Sequence, residues 1–261
     1  MKTPFNENEL PFKAFAKLGL GDQGALKLEP DDLNALLMGR RTSLVSLNDL
    51  KSDDFMIGQL DAKLSLSRSY SGEVELNIHP IYKEARKLDA LTQFEADQLK
   101  FGVFSHLEKD MKASNGTLKP HIIEYDNETK EYIFYDPDSV LAPERVNGHK
   151  LSSSQKESYR NGDMLELPDG TRIQHRASEK QGILSDNTKL VLSVLLDGGL
   201  SYLLLRGVKN LIGNTEKQKE LSSSYQSAYN DVLVQQSNSA NSALNEFKPQ
   251  YSRGYGHSSS R

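Results

Sequence analysis

The feature that most constrains the fold is a segment that recurs three times. In residues 28–39 a leucine, Leu28, is followed eight positions on by Leu36 and eleven on by Gly39. Leu91, Leu99 and Gly102 repeat the spacing, and Leu151, Tyr159 and Gly162 repeat it again. Each copy reads as a short helix. Thr92 and Ser152 can accept from the unpaired N–H groups of a first turn, and Glu95 and Gln155 stand three residues later, which completes a capping box. Pro30 suits an early helical position. Each glycine can take the left-handed conformation that ends a helix.

Every copy is followed by an apolar strand candidate, at 42–47, 103–107 and 164–167, and then by a hairpin candidate. The first hairpin, 60–79, is the clearest. Leu60, Ala62, Leu64 and Leu66 alternate with Asp61, Lys63, Ser65 and Ser67, the period of a half-buried strand. Gly72 supplies a turn, Val74, Leu76 and Ile78 return, and Pro80 ends the ladder because it has no N–H to give. The second hairpin lies at 120–135; the third, at 171–183, is shorter and more polar. The predicted fold class is α+β, with repeated small units of a short helix plus an antiparallel β-hairpin. Residues 1–9 read as loose, 10–88 as the first unit with an extra helix over 10–20, and 89–185 as a second and a degenerate third unit. Residues 89–148 are expected to repeat 26–82.

From 186 the pattern changes. Leu192, Leu195, Leu196, Gly199, Leu200, Leu203, Leu204, Gly207, Val208 and Leu211 fall on one stripe at helical spacing. This predicts an apolar amphipathic helix over 186–213, hinged at Gly198-Gly199. Asp197, Arg206 and Lys209 argue against a membrane span. The stripe residues Leu192, Leu196, Leu200, Leu203, Leu204 and Leu211 are expected to pack against a second copy or a protein partner through 190–212. Residues 214–261 read as a polar helix, from about 216 to 236, or a disordered tail.

Composition removes several function classes. A net charge of −4 and a pI near 5.9 argue against coating nucleic acid by bulk charge. The absence of cysteine excludes disulfide frameworks and thiolate metal sites. The opening residues lack an apolar signal core, and no stretch of about 18 uncharged apolar residues occurs, so a cytoplasmic setting is expected. His106, His121, His149 and His175 lack metal-ligand spacing, and no nucleophile elbow or phosphate loop is present, so no cofactor, metal or enzymatic role is expected. His79, before Pro80, could touch a phosphate, carry a proton or stabilise a turn. Asp136-Pro137-Asp138 could hold a cation or form an ordinary turn. Arg40, Arg41, Lys63, Arg68, Lys83, Arg86 and Lys87 could form one basic face for weak nucleic-acid contact. Alternatively they are a solvated surface balanced by Asp31, Asp32, Asp53, Asp54 and Glu73.

The stretch KLSLSRSYSGEVELNIHPIYKEA, residues 63–85, resembles the signature of a domain of unknown function catalogued as number 4099. Residues 122–147, with their D-x-E-T-x-E turn and the V-L-A-P-E-R-V-N-G-H-K-L continuation, resemble a second such domain, number 3945. The two likenesses together cover about residues 8–185. They imply tandem domains of Bacteroidota conjugative and integrative elements, and bring no catalytic residue with them. The function expected is a non-enzymatic accessory or binding protein of such an element, acting by protein or nucleic-acid contacts. The alternatives are a structural or self-assembling protein and an uncharacterised enzyme.

Overall fold

The computed structural model describes residues 4–22, 25–51, 56–69, 71–112, 116–196, 199–211 and 222–246. The chain opens with α1 (Phe12–Lys17) and a two-residue pair of strands, β1 (Gly21–Asp22) and β2 (Ala25–Leu26). The three repeated segments follow as one theme. In the first, α2 (Pro30–Leu37) leads to the antiparallel sheet β3 (Val45–Lys51), β4 (Met56–Arg68) and β5 (Val74–Pro80). In the second, α3 (Gln93–Lys100) leads to β6 (Leu107–Lys112), β7 (Leu118–Asp126) and β8 (Glu131–Tyr135). Then comes a small hairpin, β9 (Arg145–Val146) and β10 (His149–Lys150), before the third copy: α4 (Ser153–Arg160) with β11 (Met164–Glu166), β12 (Arg172–His175) and β13 (Ile183–Ser185). The chain continues through β14 (Lys189–Leu196), β15 (Gly199–Arg206) and α5 (Ser223–Glu246). The fold is mixed α+β, built from small antiparallel sheets.

The local signals explain the three helices. Thr92 accepts from the Glu95 amide while Glu95 reaches back to the Thr92 amide, and Ser152 and Gln155 do the same. Gly39, Gly102 and Gly162 sit at φ of 72°, 71° and 83°, a conformation that costs a side-chain-bearing residue about 1 kcal/mol or more. The strand expected at 103–107 starts later, at Leu107. The amides of Val103 and Phe104 both return to the Gln98 carbonyl, so these residues close the helix end and cannot join a ladder.

The apolar segment after 186 is not a helix. Among its described residues, 189–206 form the hairpin β14–β15, which pairs Lys189 with Arg206 and Leu196 with Gly199. Its two faces pack differently. Leu190 and Leu192, with Leu203 and Leu205, join Val146, Leu151, Tyr159, Leu165, Ile173 and Ile183 in the core of the third unit. Val191, with Tyr202 and Leu204, packs under Tyr225, Ala228 and Val232 of α5. A strand apolar on both faces is the signature of a sheet covered on both sides. Leu192, Leu203 and Leu204 therefore pack inside the chain, on a hairpin and not on the helical stripe expected; Leu211 is half-buried. The Leu196 and Leu200 side chains and residues 247–261 lie outside the described residues, and α5 replaces the shorter helix expected at 216–236. No helix among the described residues is long and apolar enough to cross a membrane.

Candidate functional site

The site begins where α2 ends. Gly39 turns the chain, and the two arginines that follow point to different units. Arg41 reaches the second: its Nη1 donates to Glu131 Oε2 at 2.8 Å, to Thr129 Oγ1 at 3.1 Å and to Asp126 Oδ2 at 3.4 Å. Arg40 reaches the third, where its Nη1 donates to the Gln181 carbonyl at 2.8 Å.

Lys63 completes the first contact. On β4 it alternates with Leu64, which fills the core of the first unit, so Lys63 emerges on the opposite face. The second and third units cover that face. Lys63 is 1% exposed. Its Nζ lies 3.1 and 3.0 Å from the two Asp126 carboxylate oxygens, 2.9 Å from the Ser178 carbonyl and 2.7 Å from Glu128 Oε2. Asp126 also accepts from the amides of Glu128 and Thr129. Burial pushes Glu131 up, but the hydrogen bond from His79 and the charge of Arg41 outweigh it and hold the carboxyl below its ordinary value. His79 itself bridges Ser65 Oγ at 2.8 Å and Glu131 Oε2 at 3.2 Å. This junction is closed: each buried charge meets an opposite one.

Beside it opens a cleft of about 740 Å³. The first unit lines it with Arg40, Ser65, Ser67, Asn77 and His79, the second with Ile133, Phe134, Tyr135 and Ser139, the third with Tyr159, His175 and Gly182. Burial pushes the His175 imidazole down to about 4, so it is neutral near pH 7. Its Nδ1 lies 2.8 Å from the Gly182 carbonyl, which can only accept, so Nδ1 carries the proton and Nε2 is an acceptor. Burial raises the Tyr135 and Tyr159 hydroxyls, which stay protonated. Behind the wall, burial raises Glu124 to about 7 against the opposing charge of Arg176 at 3.6 Å.

The seven cations expected to share one basic face do not. Arg41 and Lys63 are locked in the junction, because the face that alternation marks as outward is covered by neighbouring units. Arg68 is exposed but pairs with Glu9 at 3.0 Å and stacks over Phe5. Lys83, Arg86 and Lys87 are exposed in the connection between units, with Arg86 over the Tyr82 ring. Arg40 stands apart in the cleft wall. Asp136 caps a 3₁₀ turn, Pro137–Ser139, by accepting from the Asp138 amide, which is turn chemistry. No cluster of three potential metal-ligating side chains occurs among the described residues. Tyr135, Tyr159 and His175 carried no site signal in the sequence, since they lie far apart along it and meet only on folding. The packing of His175 between two tyrosine rings, edge-on to Tyr135 at a centroid distance of 5.2 Å and tilted against Tyr159 at 5.4 Å, is a tertiary fact.

Residues 5–89, α1 through the first three-stranded sheet, match the family described as a protein of unknown function, DUF4099. Neither the curated proteins nor the solved structures yield a match.

Proposed function

We propose that this chain is a non-enzymatic binding protein, an accessory component of a conjugative or integrative mobile element working in the cytoplasm, and that it holds its ligand in the cleft between the three units. The observation that carries the reading is the convergence of three helix-and-sheet units on one cleft. Its volume of about 740 Å³ falls within the range of about 300–1,000 Å³ common for sites that enclose a small molecule. His175, Tyr135 and Tyr159 keep fixed protonation states near neutral pH, which suits hydrogen bonding better than proton transfer. The mobile-element setting rests on the likeness of the first and second units to domains found there, of which the first has a family match.

Thermal unfolding against a panel of nucleotides, short oligonucleotides and acidic peptides tests this. Ser139 is exposed at the cleft mouth, so Ser139→Trp should obstruct entry without disturbing the core. The expected result is a ligand-induced rise in Tm for the natural chain that the variant loses, with equal Tm values for the two unliganded proteins. No rise with any ligand, or equal rises in both proteins, would overturn the reading.

A second reading, contact with another protein, is favoured by one surface. Phe94, Phe101 and Val103 are 66%, 72% and 64% exposed at the two ends of α3 and just beyond it, too much apolar area to be routine on one short helix. If a second copy covers them, the double substitution Phe94→Ser, Phe101→Ser should lower the molar mass seen by light scattering.

A further inference from the structure

We infer that Arg40 anchors an anion in the cleft and that the ligand is a nucleoside phosphate, its phosphate on the Arg40 guanidinium and its base among the aromatic side chains; this rests on the cleft being the binding site. Four neighbouring buried or half-buried cations face carboxylates: Arg41 with Glu131, Lys63 with Asp126, Arg172 with Asp186 at 3.2 Å and Arg176 with Glu124; Arg160, on α4 behind Tyr159, shares with Arg40 a buried Nε without a partner but does not line the cleft. Arg40 has no carboxylate within 4 Å among the described residues. Asp31, near its other side, is 4.0 Å from Lys180 instead. The Nε of Arg40 is shut off from solvent and has no hydrogen-bond partner, while Nη1 has only the Gln181 carbonyl. A guanidinium so placed bears the cost of desolvation without a counter-charge, and burial does push its pKa down.

Its position is fixed. Gly182 is at φ 68°, and a Cβ there would come within 2.8 Å of Arg40 Cδ and Nη1. The missing side chain is what lets the guanidinium lie against the third unit. Asp138, exposed at the rim, is the one carboxylate among the described residues that line the cleft. An entering anion therefore meets a guanidinium held in place, with a single carbonyl partner and little competing negative charge, and charge-assisted hydrogen bonding to phosphate is what such a group offers. The rest of the wall selects the class of anion. His79, Phe134, Tyr135, Tyr159 and His175 supply flat rings, and Ser67 and Asn77 supply groups that match the edge of a base.

Isothermal titration calorimetry with adenosine 5′-monophosphate, adenosine and inorganic phosphate tests the inference on the full chain. The monophosphate should bind at least about 10-fold more tightly than adenosine, the range of one charge-assisted hydrogen bond. Arg40→Gln should remove that advantage, leave the affinity for adenosine unchanged and leave the circular dichroism spectrum unchanged. Arg40→Lys, which keeps the charge without the fork, should restore part of it. Equal affinity for monophosphate and adenosine, or monophosphate binding undiminished in Arg40→Gln, would overturn the inference. So would failure of all three probes to bind. If in that case an acidic peptide still stabilises the natural chain and not Ser139→Trp, the cleft is a binding site of another ligand class and only the nucleotide inference falls; if nothing stabilises it, both fall.

Discussion

The junction that Lys63 fills and the cleft that Arg40 lines begin one residue apart at the end of α2, yet they treat buried charge in opposite ways. At the junction, Lys63, Arg41, Asp126, Glu131 and His79 satisfy one another across two units. In the cleft, a guanidinium keeps one carbonyl partner and a bare Nε. Buried ion pairs add modestly to stability when complete and cost heavily when broken, so a completed network holds units in register. A buried charge left incomplete gains nothing for the folded chain until something binds. The difference separates polar burial that serves assembly from polar burial that awaits a ligand.

The sharpest way to stress this contrast is Asp126→Ala. It leaves Lys63 and Arg41 buried with reduced opposition and strips the amides of Glu128 and Thr129 of their acceptor. A loss of about 3–5 kcal/mol is expected by chemical denaturation. A loss below about 1 kcal/mol would mean that the junction is wet or relaxes freely, and the contrast would collapse.

A smaller effect sets two buried groups of the cleft region against each other in pH. Glu124, behind the cleft, is raised from 4.5 to about 7, so its contribution is full below pH 4.5 and is lost as the pH rises through about 7. His175 is lowered from 6.5 to about 4, so its contribution is full above pH 6.5 and is lost as the pH falls through about 4. Between pH 4.5 and 6.5 the two slopes oppose each other. The natural chain should show a shallow Tm profile there. Glu124→Gln should make stability rise with pH, and His175→Gln should make it fall, each by at most about 3 kcal/mol across the window. Parallel profiles in the two variants would show that neither group titrates as its burial dictates.

Much of the architecture was legible because it is local. The capping residues Thr92 and Ser152, the stops at Gly39, Gly102 and Gly162, and the alternation over 60–79 all act within a few residues. The segment 189–206 forms a hairpin where its spacing predicts a helix, because a continuous apolar run satisfies helical and strand periods alike. Asp197-Gly198, flanked by apolar residues, is the hairpin signal that could have decided it. Asn147-Gly148 between β9 and β10 carried the same signal, and Asn147 does sit at φ 49°. The site was less legible. Arg40, Arg41 and Lys63 stood out as cations, but alternation assigns Lys63 to solvent, and nothing nearby announces that two other units cover that face. The cleft gathers residues from Arg40 to Gly182, a separation over which sequence patterns are silent.

The division between assembly and binding is tested most directly on the two adjacent arginines, by comparing the unfolding free energies of Arg41→Gln and Arg40→Gln in one buffer without ligand. Arg41→Gln should cost about 3 kcal/mol, because it leaves Glu131 and Asp126 under-paired in a buried setting. Arg40→Gln should change stability by less than about 1 kcal/mol, since the amide can still donate to the Gln181 carbonyl and an uncompensated charge is removed. Equal losses in the two variants, or a larger loss for Arg40→Gln, would show that Arg40 is a structural tether between units and would contradict its role in binding.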